Sequence, residues 1–285
     1  MKRGNFLLKY LIAIVLYGCN GLLVNNIDAS SEYIAMTRGL VGFAVIVLSF
    51  FIRGRKIQFE SIKRNFAMLV LSGIALGLNW ALLFKGFKIA VSVATLCNYL
   101  APIILIIISP ILFKEKITLR QMICVAISLV GLLLISGVLD TNGAASLEAA
   151  GYGLGAAGCF VIMVIFNRKM TDIKPMEKSA VQLLSAAITM IPFVVAKDGF
   201  PQQLDQRSLI CLLIIGAATT GFAYILYFDA LTHITFEQIA VYGYLEPVIG
   251  VITSCIFLGE ELTILSTIGA ILIIGVAFEP LIGKK

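Results

Sequence analysis

Two ionisable side chains, Glu246 and Arg38, each lie inside a long apolar run, where a charge is expensive and functional by default. Glu246 falls about eleven residues into its run, which at about 1.5 Å of helical rise per residue is roughly 16 Å, the middle of a bilayer. A carboxyl group at that depth can load and release a proton. It can equally bond the backbone that Pro247 leaves open, since proline donates nothing to the preceding turn. Arg38 stands about six residues into its own run. It can hold a substrate carboxylate, pair with Glu246, or extend its stem to the headgroups as an anchor. If the two share one cavity, a zwitterion such as an amino acid would satisfy both.

Other polar groups at similar depth suit a solvated cavity: Asn79 and Trp80, Asn98 and Tyr99, Tyr224 and Tyr227, Tyr242 and Tyr244. Aromatic rings with polar tips serve substrate stacking, core packing or an interfacial belt. Trp80 is the only tryptophan and falls mid-run, which argues against a belt position for it. Gln182 stands 144 residues after Arg38 in a matching run, so two otherwise similar segments differ there in charge. Pro102 and Pro247 are matched helix breaks, expected at a site or its gates.

Several apparent motifs lack the parts their chemistry needs. Gly153-x-Gly155-x-x-Gly158 has the dinucleotide spacing, but no strand precedes it and it opens an apolar run. With Gly151-x-x-x-Gly155 and Gly73-x-x-x-Gly77 it reads as small-residue helix packing. His233 is the only histidine, so neither a histidine metal site nor a Ser/His/Asp triad can be assembled. The six cysteines lie in apolar runs without paired spacing, and no G-x-x-x-x-G-K-[ST] loop occurs. No catalytic residue, metal or cofactor is expected, and ATP drive is not.

The elements that must position these residues are membrane helices. Hydrophobic residues make up 60% of the 285 and charged ones 13%, with mean hydropathy +1.00, outside the range of a soluble domain. The net charge of +6 sits in short clusters between apolar runs, which reads as topology and not as a nucleic-acid surface. Ten spans are predicted, at 6–27, 33–52, 66–86, 91–113, 119–138, 150–169, 176–196, 208–228, 236–258 and 262–280. The first, after Met1-Lys-Arg3, is expected to stay as a membrane helix because Tyr17 fits a lipoprotein cleavage site poorly. Seventeen Lys and Arg fall on one side of these spans, four on the other, and Arg38 within one. The positive-inside rule therefore puts both termini in the cytoplasm of a multi-pass plasma-membrane protein, and the short loops suggest a bacterial one.

Residues 91–120 return as residues 236–265. Tyr99-Leu-Ala-Pro102 falls on Tyr244-Leu-Glu-Pro247, and Thr118 on Thr263, at an offset of 145. Lys114-Glu-Lys116 after the first copy is basic, whereas Gly259-Glu-Glu261 after the second is acidic. Similar helices with opposite flanking charge, five spans per half, imply inverted repeats at 1–139 and 150–285, joined by an external linker at 140–149. Glu115 and Glu260 stand just before Thr118 and Thr263, where capping of the next helix is expected.

These motifs, Asn98-Tyr-Leu-Ala-Pro102 with Lys114-Glu115 and Gly243-Tyr-Leu-Glu-Pro247 with Gly259-Glu260, together with Arg38, resemble the EamA family of the drug/metabolite transporter superfamily. The resemblance implies ten helices in two inverted five-helix repeats, and export or exchange of small metabolites such as amino acids or related amphiphiles without ATP hydrolysis. The fold class expected is thus an all-α polytopic membrane protein. The function expected is secondary transport by alternating access, with protons as possible coupling ions and with the bilayer and a small molecule as partners. An uncoupled facilitator and an intramembrane lipid-modifying enzyme are the alternatives. Glu246 and Asp229 stand nearly alone as carboxylates, which weighs against the enzyme.

Overall fold

The structure is a computed structural model, and it describes residues 3–24, 26–52, 57–113, 118–135, 147–196, 200–201, 203–231, 233–258 and 263–282. All regular structure among these is helical: α1 (Arg3–Gly18), α2 (Asn20–Val24), α3 (Ser31–Ile52), α4 (Phe59–Asn98), α5 (Ala101–Phe113) and α6 (Leu119–Ile135). After the linker come α7 (Leu147–Lys169), α8 (Pro175–Ala196), α9 (Gln206–Gly216), a π-helical segment (Ala217–Phe222), α10 (Ala223–Leu231), α11 (Phe236–Gly243), α12 (Leu245–Leu258) and α13 (Ile264–Ile282). Helices satisfy every internal backbone group without water, which is what hydrocarbon demands.

Among the described residues, six helical stretches are long and apolar enough to cross a bilayer: Asn5–Val24, Ser31–Ile52, Phe59–Gly86, Leu147–Lys169, Pro175–Ala196 and Gln206–Leu231. Ile103–Phe113, Met122–Leu134 and Thr267–Val276 are shorter apolar helices. Their outward faces carry bare apolar side chains, Phe51 at 78% exposure and Ile111 at 79% among them, which only lipid would solvate. The molecule is an all-α polytopic membrane protein.

The separate third and fourth spans expected at 66–86 and 91–113 are drawn here from one helical run and the helix after it. α4 is 40 residues long, yet it is not a straight rod. Asn79 Nδ2 donates to Asn98 Oδ1 at 3.2 Å, although 19 residues of straight helix would part them by about 28 Å. The chain doubles back between 86 and 94, where a Cβ on Gly86 would lie 2.6 Å from that of Ala94. The second limb then breaks at Tyr99-Leu100 before α5.

The prolines act differently from the mid-helix breaks expected of them. Pro102 is the second residue of α5 and Pro247 the third of α12, so both occupy first turns, where a missing N–H costs nothing. The breaks themselves fall on Tyr99-Leu100 and on Tyr244. A third break separates α1 from α2 at Cys19. Pro110 and Pro192 do sit inside helices.

Small residues set the packing. A Cβ on Gly73 would stand 2.7 Å from the carbonyl oxygen of Gln182, and one on Gly77 2.9 Å from that of Ala186, so α4 and α8 touch backbone to backbone. Gly153 brings α7 equally close to Ala94 on the second limb of α4, at 2.6 Å from its carbonyl oxygen, and Gly155 touches Leu82 on the first. Gly151, by contrast, meets nothing within 4 Å and has no packing role. One buried cluster runs through the middle, from Tyr10 and Ala13 on α1 past Trp80 and Leu183 to Tyr224 and Phe228.

Charged groups close several helix ends. Lys178 is buried inside α8, and its Nζ donates to the carbonyls of Asn167 and Met170 at 2.9 and 2.8 Å, where α7 ends. Arg168 Nη1 reaches the carbonyls of Leu231 and Ile234 at 3.1 and 2.6 Å beyond α10. Two basic residues read as loop charge are therefore also caps. Thr118 and Thr263 immediately precede α6 and α13, as expected, while Glu115, Glu260 and most of the 140–149 linker lie outside the described residues.

Candidate functional site

The centre is built where four helices are interrupted. α1 ends at Gly18, whose Cβ position lies 2.9 Å from the Glu246 carbonyl, so only glycine lets α1 end against the first turn of α12. The π-helical segment interrupts the α9–α10 rod between Gly216 and Ala223. Such segments free carbonyls from the regular ladder and cluster at functional sites. Thr219 and Thr220 use them: Thr220 Oγ1 donates to the Ile215 carbonyl at 2.6 Å, and Thr219 Oγ1 lies 3.0 Å from the same oxygen and 2.5 Å from Asn20 Oδ1.

Arg38 is buried at 5% exposure on α3. Its Nε donates to Thr220 Oγ1 at 3.1 Å, and its guanidinium lies over the Trp80 ring at 4.4 Å. One hydrogen bond and one aromatic face hold the plane of the fork. Tyr224 stands edge-on to Trp80 at 6.2 Å, and Tyr17 meets Tyr224 and Tyr227 at 5.7 and 5.6 Å. Tyr10 continues this wall against Tyr227 at 5.4 Å and donates to the Ile239 carbonyl at 2.8 Å.

Glu246 faces the same wall from α12. Its first turn meets the end of α1 at Gly18, next to Tyr17, and Tyr244, two residues before Glu246, bonds the Tyr99 backbone. Glu246 and Arg38 are nevertheless not joined: among the described residues the ion pairs are Lys9–Asp229 and Arg64–Asp172. The Tyr17 hydroxyl, in the same ring cluster, is buried without a hydrogen-bond partner. A buried guanidinium, a separate carboxylate and an unsatisfied hydroxyl around one ring cluster form an arrangement that a small ligand with opposite charges would complete.

The residues expected to act together divide into two sets. Arg38, Trp80, Tyr99, Tyr224, Tyr244 and Glu246 belong to this centre, Tyr244 through its hydrogen bond to the Tyr99 carbonyl at 3.0 Å. Asn79 and Asn98 instead bind each other, and Asn79 also donates to the Ala156 carbonyl at 2.9 Å, stitching the two limbs of α4 to α7. Gln182 is wholly buried and bonds Ser72 through its Nε2, while its Oε1 has no hydrogen-bond partner. Sequence reasoning missed Thr220, Tyr17 and Tyr10. The two adjacent threonines between Gly216 and Gly221 were the available signal, since threonine hydroxyls bond carbonyls one turn back.

Among the described residues no group of three or more His, Cys, Asp or Glu is placed to hold a metal ion. His233 stacks on Phe6 at 3.7 Å between ring centroids, with its Nδ1 at 2.8 Å from the Asp229 carbonyl.

Fold and centre define a multi-pass helical membrane protein with a polar, aromatic-walled interior. The chain belongs to the EamA-like transporter family, whose pattern matches residues 3–137 and again 148–278. Membership places it among transporters of small molecules and not among enzymes. It is similar to the uncharacterized transporter YxxF of Bacillus subtilis, with 22% identity over 275 residues, covering 95% of this chain and 88% of that one. It also resembles a probable amino-acid metabolite efflux pump of Salmonella typhimurium, with 26% identity over 173 residues, 56% of this chain and 57% of that one. A solved crystal structure superposes with a TM-score of 0.86 at 17% identity over the whole of both chains, which shows the fold.

Proposed function

We propose that the protein is a secondary transporter that exports or exchanges a small zwitterionic metabolite, of the amino-acid class, by alternating access. Arg38 holds the substrate carboxylate, Glu246 faces its ammonium group and carries the coupling proton, and Trp80, Tyr224 and Tyr99 shape the space between. The observation that carries this reading is the buried Arg38 guanidinium, held by Thr220 and Trp80 with no ion pair to a carboxylate among the described residues, in a ring cluster whose Tyr17 hydroxyl is buried without a hydrogen-bond partner. An ion pair would leave no role for a ligand. The similarity to a probable amino-acid metabolite efflux pump supports the substrate class.

The architecture proposed with it is ten spans in two inverted repeats, 1–139 and 150–285, rocking against each other with both termini in the cytoplasm. The double match of the family pattern and the equivalent breaks at Tyr99 and Tyr244 support that division. Asn79, Asn98 and Gln182 then hold helices together during the motion and do not touch the substrate.

The test is counterflow and uptake in proteoliposomes with a mixed amino-acid pool, with and without an imposed pH gradient, reading the contents by mass spectrometry. Selective accumulation driven by the gradient is expected. Selective flux that only equilibrates would replace this reading with an uncoupled facilitator, and absence of flux for every amino acid would remove the substrate class.

A further inference from the structure

A cavity that none of Arg38, Thr220, Trp80, Tyr224 or Glu246 lines lies on the flank of the buried core. It has a volume of about 360 Å³ and is bounded by α1, α3, the start of α8 and α10. That is the size of a site for a small ligand or a headgroup. Its polar rim is Lys9, Lys174 and Asp229, and its walls are apolar, among them Phe50, Phe222 and Ile225. Lys9 is paired with Asp229, whereas Lys174, exposed at the head of α8, has no carboxylate within ion-pair distance among the described residues. The rim therefore carries one positive charge in excess. The walls pass directly into outward-facing apolar side chains, since Phe222 is 50% exposed and Phe51 beside Phe50 is 78% exposed. In a membrane protein that outward face meets acyl chains.

We propose that this cavity binds an anionic phospholipid, with the phosphate between Lys174 and Lys9 and an acyl chain along Phe50, Phe222 and Ile225. Three features select that occupant over others. A soluble anion would use the lysines and leave the apolar walls without a partner. A zwitterionic lipid would bring a second positive charge into a rim that already has an excess one. Basic pockets between membrane helices select acidic headgroups for the same reason. The site also has a consequence for the helices around it. A phosphate competes with Asp229 for Lys9, and that ion pair ties α1 to α10 at one end of the bundle. The bound lipid loosens this tie, so acidic lipid sets how readily the two helices part.

The test uses the full-length protein in vesicles of phosphatidylcholine or of phosphatidylcholine with phosphatidylglycerol, each lipid supplied in brominated form. Phe222→Trp places a fluorophore at the cavity wall, and Ile225→Trp is the second position should the first fail to fold. Trp80 alone, in the unaltered chain, gives the background. Brominated phosphatidylglycerol is expected to associate about fivefold more strongly than brominated phosphatidylcholine at the wall position, the effect of about one surface lysine. Lys174→Ala should remove that preference and Lys174→Arg should keep it. Equal association of the two lipids, or a preference that survives Lys174→Ala, would overturn the proposal. So would relief of quenching by millimolar glycerol 1-phosphate, which would assign the site to a soluble anion.

Discussion

Tyr244 donates its phenolic hydrogen bond to the carbonyl oxygen of Tyr99 at 3.0 Å, and their rings lie 6.0 Å apart. They are also the residues that fall on each other when the second half of the sequence is laid on the first, 145 positions apart. Each stands where its helical run is interrupted. A carbonyl at such a break has no partner one turn on, and hydrocarbon offers none, so the phenol of one half satisfies the backbone of the other. Tyr244 is fully buried. Tyr244→Phe should therefore lower stability by about 1 kcal/mol, the usual worth of one hydrogen bond. Thermal unfolding in detergent checks this, and an unchanged midpoint would show that the bond is not needed.

Much of this centre could be read from the chain itself. The prolines of the paired motif at offset 145, Pro102 and Pro247, lie within three residues of both breaks. Charge at depth picked out Arg38 and Glu246, since burial makes such residues rare. What could not be read was direction. Asn79 and Trp80 are neighbours in sequence, yet on a helix they point about 100° apart, one to the stitch between helices and one to Arg38. Gln182, likewise, has its amide nitrogen turned to Ser72, which spacing along the chain does not reveal. The π-helical segment was invisible because Ala217-Ala-Thr-Thr-Gly-Phe222 satisfies α-helical spacing equally well, and only its tertiary partners decide the register.

Thr220 fixes the orientation of Arg38 through its Nε, so the two should be separable in effect. Thr220→Val keeps the shape and removes the acceptor, and should weaken substrate binding about tenfold, the lower end for a hydrogen bond to a charged group. Arg38→Lys keeps the charge but loses both the Nε bond and the planar face over Trp80, and should cost at least as much. Equilibrium binding of labelled substrate to purified protein reads both. Arg38→Lys binding as tightly as the parent would mean that the fork is not a ligand-holding group.

Glu246→Gln tests the proton role without removing hydrogen-bonding capacity, because the amide keeps the shape of the side chain and one acceptor oxygen. Counterflow at equal pH on both sides should persist at a similar rate, and accumulation driven by a pH gradient should vanish. The split between those two assays distinguishes coupling from binding. Accumulation that stays sensitive to the gradient in this variant would remove Glu246 from the coupling step.

Asp172 offers a test of pH sensitivity outside the spans. Hydrogen bonds from Asn65 and Arg64 hold its carboxyl below the usual range, joining the start of α4 to the turn before α8. A lowered folded value means that the carboxylate stabilises the fold above the unfolded value and loses that effect as pH falls through the folded one. Protection of the Arg64 and Asp172 backbone amides from hydrogen exchange should therefore drop on acidification below the ordinary carboxylate range. Asp172→Asn should show the lower protection at every pH.

Gly153 and Gly151 separate packing from motif. Both belong to the same glycine-rich opening of α7, and sequence spacing treats them alike. A methyl group on Gly153 would press into the backbone of Ala94, which cannot move without parting α7 from α4, whereas one on Gly151 would meet open space. Gly153→Ala should thus destabilise by about 1–3 kcal/mol, the cost of overpacking a close contact. Gly151→Ala should be neutral or slightly stabilising, since alanine favours the helix over glycine. Comparing the two variants by thermal unfolding settles which glycine carries the interface, because their effect on the unfolded chain is the same. Equal behaviour would mean that α7 and α4 do not approach as closely as their backbones do here.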